Sequence, residues 1–184
     1  LAAQAIRAGD ADCILAGGME SMTNSPYLLP EARRGVRLGH GRLLDSMIQD
    51  GLWDVYNDFH MGMTGELVAK EHKVSREDQD AFAVESHSRA GEAESKGLFD
   101  AERVTVIIPQ RKGDAIEFTR DEGPREDITV EGLAKLRPAF DKTGSVTAGN
   151  ASSINDGAAA LVVMSAERAQ ELGVTPMARI KHYA

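Results

Sequence analysis

The chain has 184 residues, 42% of them apolar and 27% charged, with a net charge of −8 and a single cysteine. That balance suits a globular protein with one core and a smaller attached subdomain, and it excludes disorder along the whole length. The lone Cys13 excludes an intramolecular disulfide and a multi-cysteine metal site and points to a reducing, cytoplasmic setting, while the acidic balance argues against a nucleic-acid surface and leaves local arginines to hold an anion.

In chain order, LAAQAIRAGD reads as the end of a helix closed by Gly9, and ADCILAGG as a short buried strand stopped at Gly17 and Gly18. That succession predicts a parallel, covered sheet. Met19 to Arg42 reads as loop, Leu43 to Leu52 as a short helix and Thr64 to Glu71 as a second. SREDQDAFAVESHSRAGEAESKG is the clearest helix: Ser75 is its N-cap, Asp78 completes a capping-box pair, Phe82 and Val84 face inward and Gly97 ends it.

Beyond Gly97, AERVTVIIPQRKGD predicts a strand ending at Pro109, returned by AIEFTRDEGPRED in a hairpin. TVEGLAKLRPAFD is a short helix broken at Pro138. A Gly/Asn/Ser loop then leads to an apolar strand from Ala158 to Met164, a helix capped by Ser165 and closed by Gly173, and a last strand in MARIKHYA, a βαβ-like order. The run Ala158 to Met164 is about a third of the roughly 20 residues a membrane span needs, so no membrane crossing is expected. The chain opens inside a helical pattern without a cap and ends in a strand pattern without a turn, and reads as an internal segment.

Four stretches carry a resemblance: AGGMESMTNSPYLLP, HMGMTGELVAKEHKVSREDQDAFAVESHSRA, AKLRPAFDKTGSVTAGNASSINDGAAALVVMS and ARIKHYA. In this order, from one end of the chain to the other, they resemble the central part of a thiolase, of the short-chain acetyl-CoA acetyltransferase branch. The resemblance implies a partial layered α/β fold with an inserted mixed α/β loop domain that covers coenzyme A. Residues 1–18 would belong to the N-terminal half, 19–140 to the loop domain, 141–173 to the end of the N-terminal half and 174–184 to the start of the C-terminal half. It also implies a nucleophilic cysteine upstream of Leu1, and Asn-Glu-Ala-Phe, Gly-His-Pro and Cys-Gly-Gly elements downstream of Ala184. None of these motifs occurs in the chain, so no catalytic residue is assigned and the chain alone is expected to be inactive.

The substrate-binding residues follow from the same resemblance. A histidine among apolar neighbours is more often packed than functional, but the His-Met-Gly element of short-chain thiolases lies against the thioester end of coenzyme A. His60 would therefore meet the pantetheine, and Met61 would wall a small acyl group. Ala148 and Ser152, in the turn-rich TAGNASSINDG, would touch pantetheine as the floor of its tunnel. Arg125, by itself a solvated charge in DEGPRED, would sit beside the adenine or a phosphate. Leu52, Leu136 and Phe140 would line the apolar wall, although each reads equally as core. Cys13 reads as buried filler, and His40, His72, His87 and His182 lack metal-ligand spacing, so no metal is assigned.

The implied reaction joins two acetyl-CoA into acetoacetyl-CoA and free CoA, with the thioesters as substrates, no cofactor, and assembly of copies into a dimer or tetramer. Two alternatives stay open: a degradative 3-ketoacyl-CoA thiolase, and a non-catalytic thiolase-derived binding or assembly module.

Overall fold

The computed structural model describes residues 1–183. Its elements are α1 (Ala2–Ala8), β1 (Cys13–Glu20), β2 (Tyr27–Leu28), β3 (Leu44–Asp45), β4 (Trp53–Asp54), β5 (Phe59–His60), α2 (Met61–His72), α3 (Arg76–Ser95), β6 (Val106–Ile108), β7 (Ile116–Phe118), α4 (Val130–Leu133), β8 (Gly157–Met164) and α5 (Ala166–Glu171). A 3₁₀ turn spans Pro30–Arg34 and a π-type turn Met47–Gly51. The chain packs as two units, Leu1–Pro26 with the stretch from Ile154 onward, and Tyr27–Ser153. These are divisions by contact and differ from the segments drawn from the family pattern.

In the first unit α1 ends as its sequence predicts, with Gly9 in the left-handed region at φ 81° and its N–H returning to the Ile6 carbonyl at 3.1 Å. The strand that follows departs from expectation in three ways. It runs through both glycines to Glu20, it pairs with β8 in an antiparallel ladder from Cys13 opposite Met164 to Glu20 opposite Gly157, and much of it is exposed. Glycine weakens a strand without ending it when the partner's ladder continues alongside. Because β8 is the one strand beside β1 among the described residues, Leu15, Leu161 and Val162 stay exposed, and Cys13 is exposed as well. No strand forms among the described residues of MARIKHYA, so the expected strand, helix, strand order stops at α5. Ser165 caps α5 by accepting the Arg168 N–H at 3.0 Å. Nearby, the Asp156 carboxylate accepts the Thr23 N–H at 2.9 Å, and the Arg7 guanidinium lies 5.0 Å from the Tyr183 ring centre.

The Tyr27–Ser153 unit holds three two-residue or three-residue ribbons, β2 with β3, β4 with β5 and β6 with β7, all antiparallel. The hairpin read at 106–118 is present. The helix expected over Leu43 to Leu52 is instead β3 and the π-type turn, because the Asp45 carboxylate accepts the Met47 N–H at 2.9 Å and turns the chain locally. The loop read over 19–42 contains the end of β1, β2 and the 3₁₀ turn. Helix α2 starts three residues before its apolar pattern, and α4 is four residues long, well short of Pro138.

Helix α3 begins as read. Ser75 Oγ accepts the Asp78 N–H at 3.0 Å and donates to the Asp78 carboxylate at 2.7 Å. Its inward face is not the expected one: Phe82 is exposed, Val84 only half-buried, and the buried residue is Asp80, at 1% exposure. Arg76 Nε donates to Asp80 at 2.7 Å, and the same guanidinium donates to the carbonyls of Leu133 at 2.7 Å and Leu136 at 3.1 Å. From the other side Asn150 Nδ2 donates to Asp80 at 2.9 Å and to the Ser145 carbonyl at 3.1 Å, while Asn150 Oδ1 accepts the Thr147 N–H at 2.7 Å. Leu133 and the fully buried Thr147 lie in this layer. A polar hub thus occupies the place the sequence assigns to an apolar stripe.

Two outcomes follow. Asp80→Ala strips a part-buried guanidinium and a part-buried amide of their shared acceptor, and is expected to lower unfolding free energy by about 3 kcal/mol, the lower end of what removing one member of a buried charge pair costs, because Arg76 keeps some contact with water. Urea unfolding checks this against Glu85→Ala, which removes the exposed partner of Arg89 and should change little; equal losses would show the hub to be energetically ordinary. The Thr23 N–H holds the Asp156 carboxyl below its usual range. A folded-state pKa that is depressed gives stability fully present above the unfolded value, about 3.9 for aspartate, and lost as pH falls through the lowered one. Wild-type urea midpoints should therefore fall more steeply under acid than those of Asp156→Asn, and parallel curves would contradict the link.

Candidate functional site

The arrangement around His60 is set by the short β4–β5 ribbon and the helix that follows it. Asp54 organises the ribbon's tip, accepting the N–H groups of Tyr56 at 2.9 Å and Asn57 at 3.1 Å and the Asn57 side-chain amide at 2.7 Å; the amide and the Asn57 N–H hold its carboxyl below the ordinary range. Trp53 Nε1 closes the tip on Asp58 at 3.1 Å, and Trp53 stands opposite His60 across the ribbon. The Met61 N–H donates to the Leu52 carbonyl at 2.8 Å, so the two apolar residues named on either side of the ribbon are joined through backbone.

His60 then does something the sequence does not announce. It occupies the N-cap of α2, with its Nδ1 accepting the Gly62 N–H at 2.9 Å. Serine, threonine, aspartate and asparagine dominate that position because they present an acceptor one or two bonds beyond Cβ; the imidazole Nδ1, two bonds beyond Cβ, matches the reach of an aspartate or asparagine Oδ1. An accepting Nδ1 fixes the neutral ring as the tautomer with its proton on Nε2. The ring is half-buried and stacks on Phe140, with centroids 4.8 Å apart and planes 25° apart. Gly62 makes this possible, since a Cβ there would run into the Phe140 ring.

Phe140 is itself placed by a second polar anchor. Glu66, one turn into α2, accepts the N–H groups of Ser145 at 2.8 Å and Val146 at 2.7 Å and the Ser145 hydroxyl at 3.1 Å. The Ala139 N–H donates to the Val146 carbonyl at 2.9 Å, which brings the stretch holding Phe140 against the stretch anchored on α2. Gln79 Nε2 adds a bond from α3 to Ser145 Oγ at 2.9 Å. Beyond Thr147 the chain turns, with the Ala151 N–H returning to the Thr147 carbonyl at 3.0 Å. Ala148 is exposed on this turn, and Gly149 beside it is covered by Leu133 and Leu136.

Of the eight residues singled out from sequence, Leu52, His60, Met61 and Phe140 are thus joined by direct contacts. Leu136 and Ala148 belong to the adjoining turn. Ser152 is exposed just past that turn, and Arg125 is exposed on a separate loop whose own N–H donates to His87 Nδ1 at 3.1 Å. Sequence reasoning missed Glu66, Asp80 and Asn150, which hold the site without lining it. The pairing of Arg76 with Asp80 was readable as an i, i+4 pair of opposite charge; the others have no local signal. No group of three or more His, Cys, Asp or Glu placed to hold a metal occurs among the described residues.

To check the capping geometry, His60→Ala should lower stability by about 1 kcal/mol for the lost cap, with up to a further ~1 kcal/mol for the stacked ring. His60→Asn keeps an acceptor at the cap and should recover the first part. Urea midpoints read both, and an Asn variant no better than Ala would speak against the cap.

Comparison with known proteins places these residues in context. The family model described as "Thiolase, N-terminal domain" matches residues 1–167. An acetyl-CoA acetyltransferase of Cupriavidus necator is 57% identical over 184 residues, which is all of this chain and 47% of that protein, and one of Pseudomonas aeruginosa is 56% identical over the same span. The chain spans about half the length of these curated relatives. Among solved structures, the acetyl-CoA acetyltransferase of Syntrophomonas wolfei superposes with a TM-score of 0.86 at 46% identity, covering 95% of this chain and 44% of that one.

Proposed function

The chain belongs to the thiolase family and has its mixed α/β fold, and on that premise we propose that it supplies the coenzyme A-holding part of an acetyl-CoA C-acetyltransferase. The reaction is the reversible condensation of two acetyl-CoA to acetoacetyl-CoA and CoA through an acyl-cysteine. The thiol and the acid–base groups are not among the residues of this chain that carry the family pattern, so its share is orientation. Holding a thioester in line with a nucleophile supplies several kcal/mol of barrier reduction by removing translational and rotational freedom beforehand.

The observation that carries this reading is the division of labour within one ring. His60 spends Nδ1 on the α2 cap and keeps Nε2–H as a donor of fixed direction, with the ring braced on Phe140. A neutral donor braced in this way suits an amide or thioester carbonyl better than a phosphate, which calls for charge. Met61, Leu52 and Phe140 offer a polarisable and apolar surroundings for a short acyl group. Ala148 and Ser152 extend the contact along pantetheine, and the exposed Arg125 takes the nucleotide end. The thioesters are the substrates and no cofactor is required. Assembly into a dimer or tetramer and a cytoplasmic setting belong to the same reading.

Isothermal titration of the chain with coenzyme A tests it. Measurable binding is expected, and His60→Asn, which preserves the cap but removes the ring Nε2–H, should weaken it about fivefold, the worth of one hydrogen bond. An absence of heat with the wild-type chain, or full affinity in His60→Asn, would overturn the assignment.

A further inference from the structure

Arg125 is the sole cation in the run from Asp121 to Asp127, which carries Asp121, Glu122, Glu126 and Asp127. An anion approaching this loop meets four carboxylates unless the guanidinium is held forward of them. What holds it is therefore a matter of function as much as of folding. The loop lies along one face of α3, where positions 87, 91 and 94 follow one another at helical spacing. At the Glu94 end it is tied by charge: Arg120 lies 3.4 Å from the Glu94 carboxylate, and Arg103, bonded to Glu94 at 3.1 Å, reaches Asp121 at 3.8 Å. Between the ends, the side chain of Glu126 packs over Gly91, where a Cβ would sit 3.7 Å from its Cγ. At the other end the Arg125 N–H donates to His87 Nδ1 at 3.1 Å, a directional bond.

We propose that His87 is a positioning residue for Arg125, fixing the backbone from which the guanidinium reaches the phosphate-bearing nucleotide end of coenzyme A. The inference rests on the reading of Arg125 given under Proposed function and goes beyond it in naming the residue that sets the arginine's place. Charge pairs tolerate sliding, since ionic contacts at 3.4 to 3.8 Å have little angular preference, whereas an N–H to an imidazole lone pair has a defined direction. His87 is half-buried on a regular helix and so offers that lone pair from a fixed place. With Nδ1 accepting, the neutral ring carries its proton on Nε2.

Titration of the chain with two probes, coenzyme A and pantetheine, separates positioning from general support. His87→Ala should weaken coenzyme A about fivefold, the worth of one hydrogen bond, and leave pantetheine unchanged. His87→Asn, which sets an amide oxygen where Nδ1 stands, should restore coenzyme A affinity. In the Arg125→Ala background, His87→Ala should add nothing further, because its effect passes through the arginine. Equal loss with both probes, additive losses in the double variant, or no loss in His87→Ala while the wild-type chain prefers coenzyme A, would each overturn this inference alone. A wild-type chain that binds both probes equally would overturn the reading of Arg125 and this inference with it; binding of neither overturns the coenzyme A assignment as a whole.

Discussion

A carboxylate at 1% exposure is tolerable in a protein only if charge and hydrogen bonds replace the water it has lost, and Asp80 meets that condition through Arg76 and Asn150. Each of those partners brings a stretch of chain with it. Arg76 uses Nη2 on the Leu133 and Leu136 carbonyls, which fixes the end of α4 and the approach to Phe140. Asn150 uses its carbonyl on Thr147 and shares its amide with Ser145, which fixes the turn that carries Ala148. Two stretches distant from α3 in sequence are thereby placed against it by one buried charge. Glu66 repeats the device from α2, gathering the N–H groups of Ser145 and Val146.

This explains how a unit with little apolar interior can present an ordered surface. Few residues of the Tyr27–Ser153 unit are fully buried, and several of those are polar. Hydrophobic burial is non-directional and would leave the 133–151 stretch free to shift by a residue; hydrogen bonds to a buried carboxylate permit one register. Directionality matters most where a ring must be aimed. His60 receives its aim from the backbone of α2 and its bracing from Phe140, whose own place depends on the Ala139 to Val146 bond.

Features encoded over four or five residues were legible in the sequence. The N-cap at Ser75, the cap at Ser165, the glycine stop at Gly9 and the hairpin near 106–118 are each set by local backbone chemistry, and each is present. What escaped is non-local. The direction of the β1–β8 pairing cannot be read from either strand, because an apolar run satisfies a parallel and an antiparallel ladder alike. Exposure of Cys13 and Leu161 escaped for a related reason: hydropathy records a preference for burial, and burial needs a covering layer that a two-stranded ribbon lacks. For the site, the resemblance supplied eight residue names, and contacts join four of them directly. The burial and bridging roles of the supporting carboxylates were invisible, since Asp80 in SREDQD, beyond its i, i+4 pairing with Arg76, and Glu66 in MTGELV look like solvated helix charges.

The glycines bear on how far the sequence reading of the turn can be taken. Small residues, as in TAGNASS, suit a thin ligand lying close to backbone. At Gly149 the space a Cβ would fill is already taken by the side chains of Leu133 and Leu136, and at Gly62 it is taken by Phe140. These two glycines serve the protein's own packing, which draws the 133–140 stretch tightly against the turn and against α2. Close approach by a ligand is therefore a property to be sought at Ala148 and Ser152, which are exposed, and absence of a side chain at Gly149 is no argument for it. The same physical requirement, backbone without a Cβ, reads identically in sequence whether the neighbour is a leucine of the same chain or the arm of a substrate. Only the identity of the occupying atoms tells them apart.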